Sequence, residues 1–377
     1  MTPFTFGKLA VIQNFTSRNK ELERLVGNFS ALTNTTLISP RRWGKSSLVR
    51  KAAQVAEERD KKVHVCFIDA FSVHTEEEFY QLLATEMLRI SASKMELLVK
   101  NAKKFLGKFI PKVSFSADGI SDVSLALDWH EVVKHPDDVL NMAESIAKEK
   151  NWKLVICVDE FQNVATFKNP LSFQKKLRAS WQKHQHVAYC LYGSKRHMML
   201  DVFTNASMPF YKFGDIMILE KIKVESWIGF IVGRFADTKK NIVESDAALI
   251  AELAECHPYY VQQLAQQSWL RTKRKCNSKI IHEAHESIVN QLSLLFQSNT
   301  EELTNTQVYF LQALLENVEK LSSKETLEKY KLGTSANVLR IKKTLENKEI
   351  IDIQAGKISI LDPMYKSWLR TECFKMK

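Results

Sequence analysis

Residues 39–47 carry the residue types that surround a phosphate group. The segment reads Ser39-Pro40-Arg41-Arg42-Trp43-Gly44-Lys45-Ser46-Ser47, which matches G-x-x-x-x-G-K-[ST] except that serine stands at the first glycine. An apolar run precedes it and a helical run follows, so backbone N–H groups at a helix N-terminus would face the phosphate. In this pattern Gly44 permits close backbone approach, Lys45 reaches the β- and γ-phosphates, and Ser46 offers a hydroxyl ligand to Mg²⁺. The alternative is a basic turn before an ordinary helix.

Two carboxylates follow another buried run. Residues 154–158 are apolar, and Asp159 and Glu160 come directly after them. If this strand lies in the same sheet as the loop before Lys45, Asp159 would hold Mg²⁺ through water and Glu160 would activate the attacking water. The alternative is an acidic pair that caps the turn after a strand. Together the two motifs predict that the chain binds ATP with Mg²⁺ and hydrolyses it.

Strand and helix patterns alternate around these motifs. Apolar runs predict strands at 36–38, 63–69, 153–158, 187–192 and 215–219. Helical spacing predicts helices at 18–28, 45–59, 76–91 and 136–149. This alternation predicts an α/β domain over residues 1–222, with a parallel sheet covered by helices on both faces. Period-two alternation around Asp118-Gly119 predicts a β-hairpin inserted at about 107–127.

Beyond residue 222 the pattern becomes helical. Spacing predicts helices at 224–237, 245–256 and 258–274, and so a helical domain over 223–300. Residues 301–377 then predict three helices and a hairpin around Ala355-Gly356, which is the layout of a winged helix-turn-helix.

The third of these helices, predicted at 335–348, has a polar face. Asn337, Arg340 and Lys343 share the face opposite the apolar residues. Residues 321–377 contain 12 Lys and Arg against 7 Asp and Glu, so this module is basic. Such a helix can enter the major groove of double-stranded DNA, with lysines on phosphates. The alternative is a winged helix that contacts protein.

Composition limits the classes of partner and compartment. The formal charge is +11 and the pI about 9.2, which attracts nucleic acid, nucleotides or an anionic membrane, unless the lysines only line solvated helix faces. Cys66, Cys157 and Cys190 fall in apolar runs, and no C-x-x-C pair is present, so neither disulfides nor a zinc site is expected. Since no signal peptide or membrane span is predicted, we expect a cytoplasmic protein.

The motifs together resemble the AAA+ superfamily of P-loop ATPases, and within it the archaeal-type ATPases related to the STAND NTPases and the origin-recognition clade. The resemblance is carried by Pro40 to Leu48, Asp159-Glu160-Phe161-Gln162, Gly193-Ser194, Pro209-Phe210-Tyr211 and His257-Pro258-Tyr259-Tyr260-Val261-Gln262. Many families share the first segment, whereas the others are more specific. The resemblance implies a P-loop NTPase fold with a helical lid and a C-terminal winged helix, and an ATPase that uses ATP and Mg²⁺.

The resemblance also implies further site residues. Ser194 would be a polar sensor that hydrogen-bonds near the γ-phosphate, with a plain strand-end cap as the alternative. His257 and Pro258 would pack near the adenine, with an ordinary helix start that has proline at its first position as the alternative. Arg18 would border the base, unless it is a solvated surface arginine.

The sequence departs from the family pattern at two places. Relatives often have an arginine after the Pro-x-Tyr segment that acts across a subunit interface, whereas here Lys212 is the nearest cation. Whether Lys212 or Arg196 acts in this way, and in which oligomer, is left open. Gln262 and Gln263 stand where the family has a second sensor arginine. Since lysine is a poorer bidentate phosphate clamp, slow hydrolysis is expected.

Three functions are compatible with these observations. The first is an ATP-driven switch that engages DNA, in which the nucleotide state repositions the winged helix. The second is a signalling ATPase whose winged helix binds a protein partner. The third is a nucleotide-binding regulator without turnover, against which the intact set of Lys45, Ser46, Asp159 and Glu160 argues.

Overall fold

A computed structural model describes most of the chain. The described residues are 2–7, 18–92, 95–106, 112–115, 123–126, 128–354 and 356–376. They divide into two compact units, Arg18–Glu220 and a second that combines residues 2–7 with residues 221–376. The predicted turn at Asp118-Gly119 lies outside the described residues.

The first unit alternates strands and helices, as predicted. Its helices are α1 (Asn19–Ser30), α2 (Lys45–Arg59), α3 (Glu76–Ser91), α4 (Met95–Leu106), α5 (Trp129–Lys134), α6 (Pro136–Leu140), α7 (Met142–Lys150), α8 (Pro170–Trp181) and α9 (Arg196–Thr204). Its strands are β1 (Thr35–Ile38), β2 (Val63–Asp69), β3 (Lys112–Phe115), β4 (Val123–Ala126), β5 (Lys153–Asp159), β6 (Val187–Gly193) and β7 (Asp215–Ile218). A short 3-10 helix, Phe161–Thr166, follows β5.

A parallel sheet positions the candidate site. Among the described residues, five strands form it in the order β2-β5-β6-β1-β7. Ile38 of β1 lies opposite Gly193 of β6, and Val158 of β5 lies opposite Leu191 of β6. The chain therefore leaves β1, β5 and β6 at the same edge of the sheet, which is where ligands bind in parallel α/β folds. Strands β3 and β4 pair antiparallel, in agreement with the predicted hairpin.

The sheet is buried on both faces, as its apolar strands require. Every residue of β1 and β6 is buried, and β5 is buried from Leu154 to Val158. Cys66, Cys157 and Cys190 are buried free thiols, as predicted. Burial raises the pKa of the Cys66 and Cys157 thiols, which makes them poor nucleophiles.

The second unit is mainly helical. Its helices are α10 (Val224–Ala236), α11 (Glu244–Leu253), α12 (Pro258–Arg271), α13 (Ser278–Glu301), α14 (Asn305–Leu315), α15 (Lys324–Lys329), α16 (Ser335–Asn347) and α17 (Pro363–Trp368). A hairpin of β8 (Ile351–Gln354) and β9 (Lys357–Ile360) follows α16. Helices α14 to α16 with this hairpin form a C-terminal winged helix, as predicted.

Residues 2–7 lie in the second compact unit. The sequence predicts them in the first domain, whereas Phe4 is buried in the second unit, with its ring 6.2 Å from that of Phe230 and 5.8 Å from that of Phe235. Burial of this aromatic side chain fixes the segment there. The division of the second unit at residue 300 stays a prediction.

The C-terminal end of α12 differs from the predicted one. The helix predicted to end at 274 ends at Arg271, because Thr272 has an extended backbone (φ −83°, ψ 126°) and the next residues bond to another segment. Helix α13, which is 24 residues long, was not predicted. No helix among the described residues has the length and apolar character needed to cross a membrane.

Candidate active site

The loop between β1 and α2 has an open, concave backbone. Gly44 caps α2 with φ of 87°, a left-handed conformation that favours glycine, and Arg42 also has a positive φ of 61°. A Cβ placed on Gly44 would meet no atom within 4 Å, so the loop faces open space at this residue. Ser39 is not among the described residues with positive φ, which explains why serine is accommodated where the pattern has glycine.

Lys45 lies inside this loop. Its side chain is 5% exposed, and Nζ donates to the backbone carbonyls of Ser39 and Pro40 at 3.1 Å each. A buried ammonium group needs such acceptors. The loop therefore concentrates positive charge at the start of α2, where the helix dipole adds to it. This is the arrangement that binds a polyphosphate.

Ser46 and Asp159 meet across the sheet edge. The Ser46 hydroxyl donates to Asp159 Oδ2 at 2.8 Å, and the Glu160 backbone N–H donates to Asp159 Oδ1 at 2.9 Å. Burial raises the pKa of the Asp159 carboxyl; the nearby Glu160 charge acts in the same direction, whereas the Ser46 hydrogen bond and Lys45 oppose it. A hydroxyl and a carboxylate side by side are ligands that Mg²⁺ accepts together with phosphate oxygens.

We expect Asp159→Asn to raise the free energy of unfolding of the nucleotide-free protein at neutral pH by about 0.5–2 kcal/mol. A carboxyl whose pKa is raised by folding destabilises the folded state once pH exceeds that pKa, and the effect disappears below the unfolded value. The gain should therefore shrink as pH falls toward 4, as measured by urea unfolding at several pH values. Lower stability at neutral pH would show instead that the Ser46 hydrogen bond outweighs the cost of burial.

Glu160 is held against the end of β6. Its backbone is left-handed (φ 50°), and Oε2 accepts from the Ser194 backbone N–H (3.2 Å), from the Ser194 hydroxyl (2.9 Å) and from Gln162 Nε2. Arg41 Nε in turn donates to the Ser194 hydroxyl at 3.3 Å. The predicted residues Arg41, Glu160 and Ser194, from three strand ends, thus form one hydrogen-bonded group.

Gln162 is a site residue that the sequence reasoning did not assign. It is 1% exposed and lies over Gly193, where an added Cβ would come within 1.8 Å of Gln162 Oε1. A larger residue at the end of β6 would therefore displace the Gln162 amide from its position beside Glu160. The spacing Asp-Glu-x-Gln followed by Gly-Ser was the available signal.

Arg18 is buried against the loop between β1 and α2. Its side chain is 3% exposed, and its guanidinium donates to the carbonyls of Trp43 (3.3 Å) and Glu220 (3.0 Å) and to the Glu21 carboxylate (3.3 Å). Burial lowers the pKa of Arg18, and Glu21 opposes this shift. The alternative of a solvated surface arginine is therefore wrong. The side chain fixes the loop backbone next to Gly44.

We expect Arg18→Ala to lower the free energy of unfolding by about 1–3 kcal/mol, because the buried Trp43 carbonyl and the partly buried Glu220 carbonyl lose a charged donor. Arg18→Lys should restore only part of this loss, since one ammonium cannot reproduce the fork of donors. Urea unfolding measures both. As a control, Arg59→Ala removes a surface pair with Glu23 in which both side chains are more than half exposed, and should leave stability unchanged. Equal stability of wild type and Arg18→Ala would contradict this role.

The structure also describes the other residues that the sequence predicts for the site in the first unit. Trp43 is buried, Arg42 is exposed, and Ser47 lies in the first turn of α2. Lys212 is exposed, with its ammonium 5.1 Å from the Tyr211 ring centre, and Arg196 begins α9.

The predicted adenine contacts belong to the second unit. His257 caps α12 and Pro258 is its first residue. Gln262 Oε1 accepts from the Thr5 backbone N–H at 3.3 Å. The helix-start interpretation describes the local structure of His257 and Pro258, and their contact with a nucleotide stays a prediction.

The outward face of α16 differs from the predicted one. Arg340 and Lys343 are exposed, but Asn337 is partly buried, and its Nδ2 donates to the Leu332 carbonyl at 2.9 Å. Its amide therefore stabilises the turn before α16, while Leu339, 66% exposed, stands on the outer surface.

Comparisons with known proteins agree with this geometry. Residues 15–264 match the model of a family described as "ATPase domain predominantly from Archaea", and residues 294–371 match one described as "Probable winged helix domain". No curated protein sequence matches.

Solved structures of similar fold cover nearly the whole chain. A Walker-type ATPase of Pyrococcus abyssi is 18% identical with a TM-score of 0.67, and the match covers 98% of this chain and 100% of that one. The ORC2 protein of Aeropyrum pernix in its ADPNP-ADP complexes is 13% identical with a TM-score of 0.55, over 96% of this chain and 92% of that one. Its ADP form is 12% identical with a TM-score of 0.54, over 96% and 93%. At these identities the likeness shows the fold.

Proposed function

The chain belongs to the family of ATPase domains found predominantly in Archaea and has the AAA+ fold with a winged-helix domain, and we propose that it binds ATP with Mg²⁺ and hydrolyses it slowly as a nucleotide switch. The observation that carries this proposal is the meeting of Lys45, Ser46, Asp159 and Glu160 at one edge of the sheet. The similar ORC2 protein was solved with ADPNP and ADP, which supports a nucleotide as the ligand.

The residues present fit a nucleotide with its metal. Open space in front of Gly44 leaves room for phosphates, and the Ser46 hydroxyl lies 2.8 Å from the Asp159 carboxylate. Among the described residues, no group of three or more His, Cys, Asp or Glu could hold a metal ion, which suits Mg²⁺ bound partly by substrate phosphates. When bound, Mg²⁺ would offset phosphate charge in the transition state. Ser46 and Asp159 would hold it.

The remaining residues would act on the phosphates and on water. Lys45 would exchange the carbonyls of Ser39 and Pro40 for phosphate oxygens. Glu160 would accept a proton from the attacking water once its carboxylate leaves Ser194 and Gln162. Ser194, freed at the same time, would donate to the γ-phosphate. Because Glu160 must first break these hydrogen bonds, and Lys212 is a weak substitute for an arginine, turnover should be slow.

Two other functions have specific support. Exposure of Leu339 on α16 favours a protein partner, since burial of this apolar side chain in an interface would be favourable. Ser194 and Gln162 both donate hydrogen bonds to the Glu160 carboxylate. Because a carboxylate held in this way does not take a proton from water, the arrangement favours a regulator that binds nucleotide without turnover. In the proposed switch itself, the winged helix engages double-stranded DNA, which exposed Arg340 and Lys343 of α16 favour. We place the protein in the cytoplasm, and the oligomeric state stays open.

Titration calorimetry with ATP tests the proposal directly. Wild-type protein should bind ATP more tightly with Mg²⁺ than with EDTA, because Ser46 and Asp159 add metal ligands. Ser46→Ala should remove most of this difference, whereas Ser145→Ala is the control, because Ser145 is an exposed serine of α7 whose hydroxyl donates to the Asn141 carbonyl. Absence of any heat of binding, with or without Mg²⁺, would refute nucleotide binding.

A further inference from the structure

Two short segments of the second unit pair their backbones and carry a cluster of cations. The Asn241 N–H donates to the Arg274 carbonyl and the Cys276 N–H donates to the Asn241 carbonyl, both at 2.8 Å, which forms a parallel bridge between residues 241 and 275. One segment follows α10 and the other joins α12 to α13. We call residues 239–241 together with 273–275 the basic ribbon.

Buried side chains on either side of the cations fix the basic ribbon. Thr272 is 2% exposed and Cys276 is fully buried, so the three residues between them are held outward. On the other segment, Lys240 donates to the Trp269 carbonyl at 2.7 Å and lies 4.0 Å from the ring centre of that residue. The cations are therefore displayed on a preorganised backbone, which lowers the entropic cost of binding.

In the part of the chain that the structure describes, the outer cations are exposed and have no side-chain partner. Within the described residues, Lys239, Lys273, Arg274 and Lys275 make no side-chain hydrogen bond or ion pair. No acidic residue occurs between 272 and 282, and Asp237 on the other segment pairs with Arg234 at 3.2 Å. Uncompensated like charges repel one another, so a structural role does not account for them.

The position of the cluster relative to α13 strengthens this argument. The first turn of α13 contains no acidic residue and includes exposed Lys279. Positive charge is unfavourable at a helix N-terminus, where the helix dipole is already positive. A site that opposes folding preferences in this way is expected to serve a ligand. That ligand must be an anion.

We propose that the basic ribbon binds the phosphate backbone of double-stranded DNA, which deepens the DNA-binding part of the proposed function and rests on it. The ribbon directly precedes α13, whose 24 residues span about 36 Å. The C-terminal half of α13 packs on α17, the helix that follows the hairpin of the winged helix, where the Phe296 and Tyr365 rings are 5.3 Å apart. Phe296 stands 18 residues after Ser278 (296 − 278), which is about 27 Å along the helix axis. One turn of DNA (~34 Å) is long enough to span this distance, so one duplex can contact both places.

A membrane surface fits the basic ribbon less well. Binding to an anionic bilayer combines cations with exposed aromatic or long apolar side chains on one amphipathic face. The described residues of the basic ribbon are all polar, and the exposed apolar side chains nearest to it in sequence are Val243 and Leu270, which flank it without forming a helical amphipathic face with its cations. The ribbon is also extended rather than helical.

The test compares two full-length triple variants, each of which loses three positive charges. The triple variant Lys273→Gln, Arg274→Gln, Lys275→Gln removes the ribbon cations. The control, Lys61→Gln, Lys148→Gln, Lys183→Gln, removes three exposed lysines of the first unit. Fluorescence anisotropy with a duplex of about 30 base pairs, without nucleotide, at about 50–300 mM KCl gives affinity and its salt dependence. Sedimentation with phosphatidylserine vesicles is measured in parallel.

For the ribbon variant we expect at least about tenfold weaker duplex binding at 100 mM KCl, and a slope of log K against log salt smaller by about 2–3. Thermal stability should be unchanged or raised, and the control should match wild type. An unchanged slope and affinity, or loss of vesicle binding alone, would overturn the inference.

Failure of the inference can be distinguished from failure of the proposed function. If Arg340→Gln, Lys343→Gln weakens duplex binding while the ribbon variant does not, the winged helix binds DNA and the ribbon inference is wrong. If wild type binds no duplex, the DNA part of the proposed function also fails. ATP turnover by the same proteins tests the ATPase part independently.

Discussion

Replacement of Glu160 by glutamine is expected to lower kcat for ATP hydrolysis by about 10²–10⁴-fold, the usual contribution of a general base. Glutamine has the size of glutamate and can still accept from Ser194, so the sheet edge should keep its structure. It cannot take a proton from water. Affinity for ATP should therefore stay within a few fold of wild type, and single-turnover and steady-state assays would both show the loss in kcat.

A matched control separates chemistry from a general effect of the substitution. Glu58→Gln makes the same change at an exposed position near the end of α2, where the carboxylate accepts from Gln54 alone in the described structure. This variant should hydrolyse ATP like wild type. Equal turnover by wild type and Glu160→Gln would contradict the assignment and favour a regulator that binds nucleotide without hydrolysis.

The sequence predicted the central part of the site because short motifs lie at strand ends. Lys45 and Asp159 are 114 residues apart in sequence (159 − 45). Both nevertheless follow buried strands of one parallel sheet, and the carboxyl ends of such strands share an edge. Local pattern and strand burial were therefore sufficient to expect that the two motifs meet at one edge of the sheet.

Contacts that depend on how groups pack in three dimensions could not be predicted from these sequence patterns. The role of Arg18 requires the backbone carbonyls of Trp43 and Glu220 to converge, and no sequence spacing reports where carbonyl groups point. The fit of Gln162 over Gly193 likewise depends on an atomic approach. Asn337 shows the converse, because helical spacing placed it outward, whereas a hydrogen bond to Leu332 draws it to the preceding turn.

Replacement of Gly44 by valine is expected to weaken ATP binding at least about 100-fold, or by about 2.7 kcal/mol. Two causes act together. At φ of 87° a β-branched residue is strained, so the loop must rearrange, and stability should fall by about 1–2 kcal/mol. The side chain would also enter the open space in front of the loop, where the proposal places the phosphates. Calorimetric titration and thermal unfolding measure the two effects separately.

Gly27→Val supplies the control, because Gly27 lies within α1, has no positive φ and would also meet no atom within 4 Å. Valine differs little from glycine in helix propensity, so this variant should keep both stability and ATP binding. The comparison isolates what is special to Gly44, namely its left-handed backbone and the space before it. If Gly44→Val binds ATP as wild type does, the loop does not hold the phosphates, and the convergence of Lys45, Ser46 and Asp159 serves the fold alone.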